Sequence, residues 1–176
     1  MLDIAVAYNR FKFLGDEFLT WLWFVIEQDP AVFKNADPDL TSFEIGSRMV
    51  LEKKHKKAVE RITIKGEDAG LEEARVALKN GALVAELNLV YRSAQQKWQF
   101  TLKGESLNLS SLQTPKISPP ESADELEARV LEKIFLYDKI LQFLAKLYNT
   151  FIKLRISSRW QRREISLIKK WLDSER

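Results

Sequence analysis

The chain has 176 residues, 45% of them hydrophobic and 30% charged, with a net charge of +3. That supplies one ordinary core, and so mild a basicity implies no anionic partner until the charges are placed along the chain. There is no cysteine, which excludes a disulfide framework and thiol-based zinc or redox chemistry.

The opening Met1-Leu2-Asp3-Ile4 lacks the basic-then-apolar order of a secretory leader, so a cytoplasmic protein is expected. The first predicted element is a helix over about Phe13 to Gln28. Leu14, Phe18, Trp21, Leu22, Val25 and Ile26 share one face, with Asp16, Thr20 and Glu27 opposite. Trp23 and Phe24 fall on the flanks, beside the polar face. Either another element covers them, as is usual for large aromatics, or they form a protein-interface edge. The longest near-apolar run, Phe18 to Ile26, is about half a membrane span, so no membrane partner is expected.

Period-2 patterns follow. Phe43, Ile45, Met49 and Leu51 alternate with Ser42, Glu44, Arg48 and Glu52, and Ile62 and Ile64 alternate with Arg61, Thr63 and Lys65. A short helix near Leu71 to Lys79 stops at Asn80-Gly81. Alternation resumes through Leu83, Ala85, Leu87, Leu89 and Tyr91, then Trp98, Phe100 and Leu102. Such patterns predict an antiparallel sheet with one dry and one wet face.

Gln113 to Ser122 holds three of the five prolines and reads as a linker. Ser122-Ala-Asp-Glu125 is a capping-box start for a helix running to about Leu154. Its predicted apolar stripe is Leu126, Val130, Ile134, Tyr137, Leu141, Leu144, Tyr148 and Phe151, with Lys139, Lys146 and Lys153 on the outer face. A break at Ser157-Ser158 permits a second helix with Trp160, Leu167, Ile168, Trp171 and Leu172 inward. The expected fold is α+β: a four-stranded antiparallel sheet of two hairpins with packed helices, then a C-terminal helical hairpin. The expected division is a domain over 1–112, a linker over 113–122, and a helical pair over 123–176 packed on the first part.

Charge concentrates in two places. From Lys153 to Arg176 there are eight Lys or Arg against Glu164, Asp173 and Glu175, a net of +5. Arg155 leads into this segment, and Arg159, Arg162, Arg163, Lys169 and Lys170 fall within one outer arc. A rigid row of cations can match a row of phosphates, although a solvated helix face has the same appearance. Lys53, Lys54, Lys56 and Lys57 surround His55 at the first hairpin turn, where lysines also serve to block edge pairing. These ten cations are the candidate nucleic-acid contacts.

Catalytic patterns are sparse. His55 is the only histidine, and its lysine neighbours disfavour protonation and metal binding. Pro38-Asp39 followed by Glu52-x-Lys54 resembles a magnesium nuclease signature. One extended strand would hold its two carboxylates about 40 Å apart, so the match is read as accidental unless Gly46 turns sharply. No catalytic residue, metal, cofactor or small-molecule substrate is expected.

Phe13-Leu-Gly-Asp-Glu-Phe-Leu-Thr-Trp-Leu-Trp23 resembles a segment of the recombination-associated RdgC proteins. The order Ile62-Thr-Ile-Lys-Gly66, Leu71 to Gly81 and Val84 to Val90 is similar to that family as well. The resemblance spans about residues 9 to 110, with a looser match beyond. It implies a nucleoid-associated protein that binds double-stranded DNA with little sequence preference and forms ring-like homodimers. The chain corresponds only to the C-terminal part of such proteins, which leaves ring closure open. The alternative from another class is a protein–protein interaction or structural module without nucleic-acid binding.

Overall fold

The computed structural model describes residues 13–54, 58–66 and 69–174. Among them the order is α1 (Phe13–Gln28), α2 (Ala31–Ala36), β1 (Leu40–Lys54), β2 (Val59–Lys65), α3 (Ala69–Lys79), β3 (Leu83–Ser93), β4 (Gln96–Lys103), β5 (Leu109–Gln113) and α4 (Ala123–Arg155). A π-turn (Trp160–Glu164) then leads into α5 (Ile165–Asp173). No helix among the described residues is long and apolar enough to cross a membrane.

The α+β class is as expected, with five antiparallel strands rather than four, in the order β2-β1-β3-β4-β5. The fifth strand escaped the period-2 pattern because it is five residues long and Ser111 interrupts it at φ 54°. Strand β1 pairs on both sides, to β2 and β3, and bulges between Ile45 and Met49. The bulge lies where Gly46 meets Asn88: a Cβ there would stand 2.0 Å from Asn88 Oδ1. The Asn88 amide donates to Phe100 O and Thr101 Oγ1, both at 3.1 Å, so it ties β3 to β4.

The dry face of the sheet carries Phe43, Met49, Leu51, Leu87, Leu89, Tyr91, Trp98, Phe100 and Leu102, all buried. Helix α1 lies on it so closely that a Cβ on Gly15 would sit 1.8 Å from Gly104 O. Thr20, expected on a wet face, accepts a hydrogen bond from Val84 N at 3.1 Å. Helix α5 covers the outer side of α1, with Trp171 edge-on to Trp23 at 5.0 Å. A helix enclosed on all sides is apolar all round. The structure therefore corrects the interface reading of Trp23 and Phe24: they are 0% and 6% exposed.

Helix α4 is 33 residues long, about 50 Å. Its second half joins the same core: Phe143 packs edge-on against Phe43 and Tyr91, and Phe151 tilts against Phe18 and Trp21. Its orientation differs from the expected one by about a quarter turn. Leu136, Ile140, Phe143 and Leu147 face the core, and the ammonium groups of half-buried Lys139 and exposed Lys146 reach back to the body. Lys139 Nζ donates to Ser93 Oγ at 3.0 Å and Lys146 Nζ to Ala36 O at 3.1 Å. Of the expected stripe, Leu144, Tyr148 and Phe151 pack inside, while Leu126, Val130, Ile134, Tyr137 and Leu141 are exposed. The cause is that α4 has two apolar faces, and the sheet takes the one containing Leu136, Ile140 and Phe143.

Candidate interaction surface

None of residues 123–135 is buried. This arm is helical through local bonds. Ser122 Oγ accepts from Glu125 N at 3.3 Å, and Glu125 Oε2 accepts from Glu121 N at 3.0 Å, a reciprocal cap. Asp124 and Glu125 in the first turn complement the helix dipole, and Arg129 pairs with Glu132 at 3.1 Å. Local bonds of this kind make only a marginal helix in water unless packing adds to them.

The arm and the turns after it carry most of the exposed large hydrophobics among the described residues. Leu126, Val130, Leu131, Ile134, Phe135, Tyr137 and Leu141 are all exposed, Phe135 at 66%. Elsewhere among the described residues the exposed large hydrophobics are Val59, Val76 and Ile156, scattered singly. Scattered apolar residues are ordinary, whereas a contiguous apolar face marks a binding surface.

The basic arc divides on inspection. Arg155 Nε donates to Glu17 Oε2 at 2.6 Å, and its guanidinium lies 5.3 Å from the centre of the Trp160 ring. Arg159 Nε donates at 2.9 Å to Glu164, which is buried. Both arginines are thereby engaged within the fold. Arg162, Arg163, Lys169 and Lys170 are exposed and form no ion pair among the described residues. Trp160 and Trp171 face inward as expected.

Of the other cluster, Lys53 stands opposite Glu60 in the β1–β2 register, and Lys54 ends β1 opposite Val59. Lys56 and Lys57, with His55, lie outside the described residues. Lys79 pairs with Asp173 at 3.5 Å, and the chain after Lys79 soon reaches Leu83, which is opposite Glu52. The end of α5 and the hairpin end of the β1–β2 ladder thus lie toward the same end of the molecule.

Asp39 and Glu52 do not come together. Strand β1 runs unbroken between them, and its bulge at Gly46 shifts the register without reversing the chain. Among the described residues no group of three His, Cys, Asp or Glu could hold a metal ion.

The sequence concealed a buried polar hub. Glu27 accepts Trp23 Nε1 at 2.7 Å and Trp171 Nε1 at 2.8 Å, and it forms an ion pair with Arg75. The Arg75 guanidinium lies 5.3 Å from the centre of the Trp171 ring. Helices α1, α3 and α5 meet at this one carboxylate. A spacing signal existed, since Trp23 precedes Glu27 by one helical turn, but Arg75 and Trp171 are distant in sequence. Beside the hub a cleft of about 550 Å³ opens between α1, α2, α4 and α5, with Trp21, Phe24 and Trp171 in its lining along with Arg163 and Lys170.

Among the described residues three titrating groups are displaced, Tyr148 being raised by burial. Burial, then the hydrogen bond to Asp37, pushes Tyr91 far above its ordinary value of 10.0. The Ser42 hydroxyl, with Arg92 behind it, holds Glu44 below the usual carboxylate range.

No family model matches the chain, and no curated protein matches its sequence.

Proposed function

We propose that the protein is a binding module that works by protein–protein contact, with the first half of α4 as its docking arm. The observation that supports it is the concentration of seven exposed large hydrophobics between Leu126 and Leu141. Hydrating that much contiguous apolar surface is unfavourable, and covering it contributes about 25 cal/mol for each Å² removed from water. A photo-crosslinking phenylalanine analogue at Phe135 tests the proposal in cells. Protein adducts are expected there and not at the exposed Gln161 on the opposite end of the molecule's helical layer. Equal labelling at both positions, or none, removes the docking role.

A second reading rests on Arg162, Arg163, Lys169 and Lys170. Four exposed, unpaired cations on one helix suit sequence-nonspecific binding of double-stranded DNA through its phosphates. It is the function that the resemblance to the recombination-associated RdgC proteins implies, together with a place in the cytoplasm or on the nucleoid. The two readings use different surfaces and are compatible.

A further inference from the structure

We infer that the body of the molecule binds a small amphiphilic anion, with its apolar part in the aromatic cleft and its oxyanion head in a polar pocket that adjoins it. The site lies on the half of α4 away from the docking arm and does not depend on the arm's role.

The cleft of about 550 Å³ has an aromatic floor. Trp21, Phe24 and Trp171 line it and are themselves buried, so they are held in place by the core behind them. Leu154 and Leu167 extend the apolar lining from α4 and α5. A concave apolar site of this volume with a few convergent polar groups is the usual form of a small-molecule pocket.

A second pocket, of about 440 Å³, continues from the first, since Val32 and Thr150 line both. Its chemistry is the opposite. Lys146, Asn149, Thr150 and Lys153 follow one another along one face of α4, and Asn35 joins them from α2. Each of these side chains can donate a hydrogen bond, and no carboxylate among the described residues lines the pocket. Lys146 Nζ is fixed at the wall by its bond to Ala36 O at 3.1 Å, which uses one of its three N–H groups.

Charge selects an anion. Glu164 is the buried carboxylate of the cleft wall, and Arg159 engages it at 2.9 Å from five residues earlier, across the π-turn. Around the joined pockets this leaves Lys146, Lys153, Arg163 and Lys170 against the single carboxylate of Asp29. Single turns of π-helix are frequent at functional sites, and this one forms part of the wall. A neutral apolar molecule would leave the lysines unanswered, and a bare inorganic anion would leave the aromatic floor in water. A carboxylate or phosphate on an apolar body satisfies both halves.

The probes are decanoate and decyl phosphate, with decanol and inorganic phosphate as the tail-only and head-only controls. Calorimetry on the full chain, below micelle-forming concentrations, is expected to show one acid bound per chain, at least about tenfold more tightly than either control. The tighter of the two acids identifies the head. Lys153→Gln removes an exposed charge and should weaken the acid about fivefold while leaving decanol unchanged. Thr150→Trp fills the junction of the pockets and should abolish binding with circular dichroism unchanged, because Thr150 is exposed. If that variant loses its helical signal, Lys153→Gln decides alone. Ile134→Asp, on the arm, should leave binding as it is. Decanol binding as tightly as the acids would overturn the anionic head, and loss of binding in Ile134→Asp would move the ligand to the arm and overturn the site. An unchanged affinity in Lys153→Gln, or no binding of either acid at roughly 1 mM, would equally overturn it.

Discussion

The indole N–H of Trp98 donates to the main-chain carbonyl of Leu136 at 3.0 Å, from inside the sheet to the middle of a helix. Leu136 is also the first buried residue of α4. The bond therefore marks where the helix leaves the body and the arm begins. Trp98→Phe keeps an aromatic ring there and removes the donor. It is expected to cost about 2 kcal/mol in urea unfolding, from the lost bond and the lost volume. Amide exchange in residues 123–135 should rise in the same variant. Unchanged exchange would show that the arm is held by something other than this anchor.

The basic arc and the inner face of the last helix should separate cleanly. Arg162→Gln with Arg163→Gln keeps good helix formers and removes two unpaired charges. Thermal stability should hardly move, while affinity for random duplex DNA should fall about tenfold and the salt slope flatten by about two units. Trp160→Ala removes a buried ring that packs edge-on to Phe151 at 5.7 Å. Its expected cost is about 3–5 kcal/mol. Binding that ignores both salt and the arginine pair would eliminate the DNA reading.

Tyr91 gives the fold an alkaline limit. Its hydroxyl donates to Asp37, with Lys139 stacked 5.7 Å from its ring centre. Its pKa is raised on folding, so the folded state holds the proton more tightly than the unfolded chain does. The stability this supplies is whole below the unfolded value, 10.0, and is lost as pH rises from there through the folded value. Tyr91→Phe should cost about 1–2 kcal/mol at neutral pH through the lost bond. Above pH 10.0 the gap between variant and wild type should narrow. A gap that stays constant to the highest pH measured would mean that this phenol is not the titrating group.

The strands from Phe43 to Leu102 and the inward tryptophans of the last helix were legible because one face of each is dry and the other wet. Where both faces are dry, periodicity gives no direction. Trp23 and Phe24 looked like flanks only because the α5 side of α1 is closed by Trp171, far along the chain. In α4 the same ambiguity misplaced the helix by about 100°, since Leu136-Ile140-Phe143 and Ile134-Tyr137-Leu141 are equally good stripes. Arg155 and Arg159 illustrate a further limit. A wheel shows that they point outward from their own helix, but not that Glu17 and Glu164 wait beside them.

The continuity of α4 has a consequence for whatever it touches. No glycine or proline interrupts its 33 residues, so the arm and the anchored half are locked in rotational phase. One residue inserted between Phe135 and Leu136 would swing Leu126, Val130 and Ile134 by about 100° without disturbing the stretch from Leu136 onward. Seven residues inserted at the same place would restore the heading to within about 20° and lengthen the reach by about 10 Å. The helix thus sets both a distance and a bearing, and single-residue insertions should abolish docking where heptad insertions spare it.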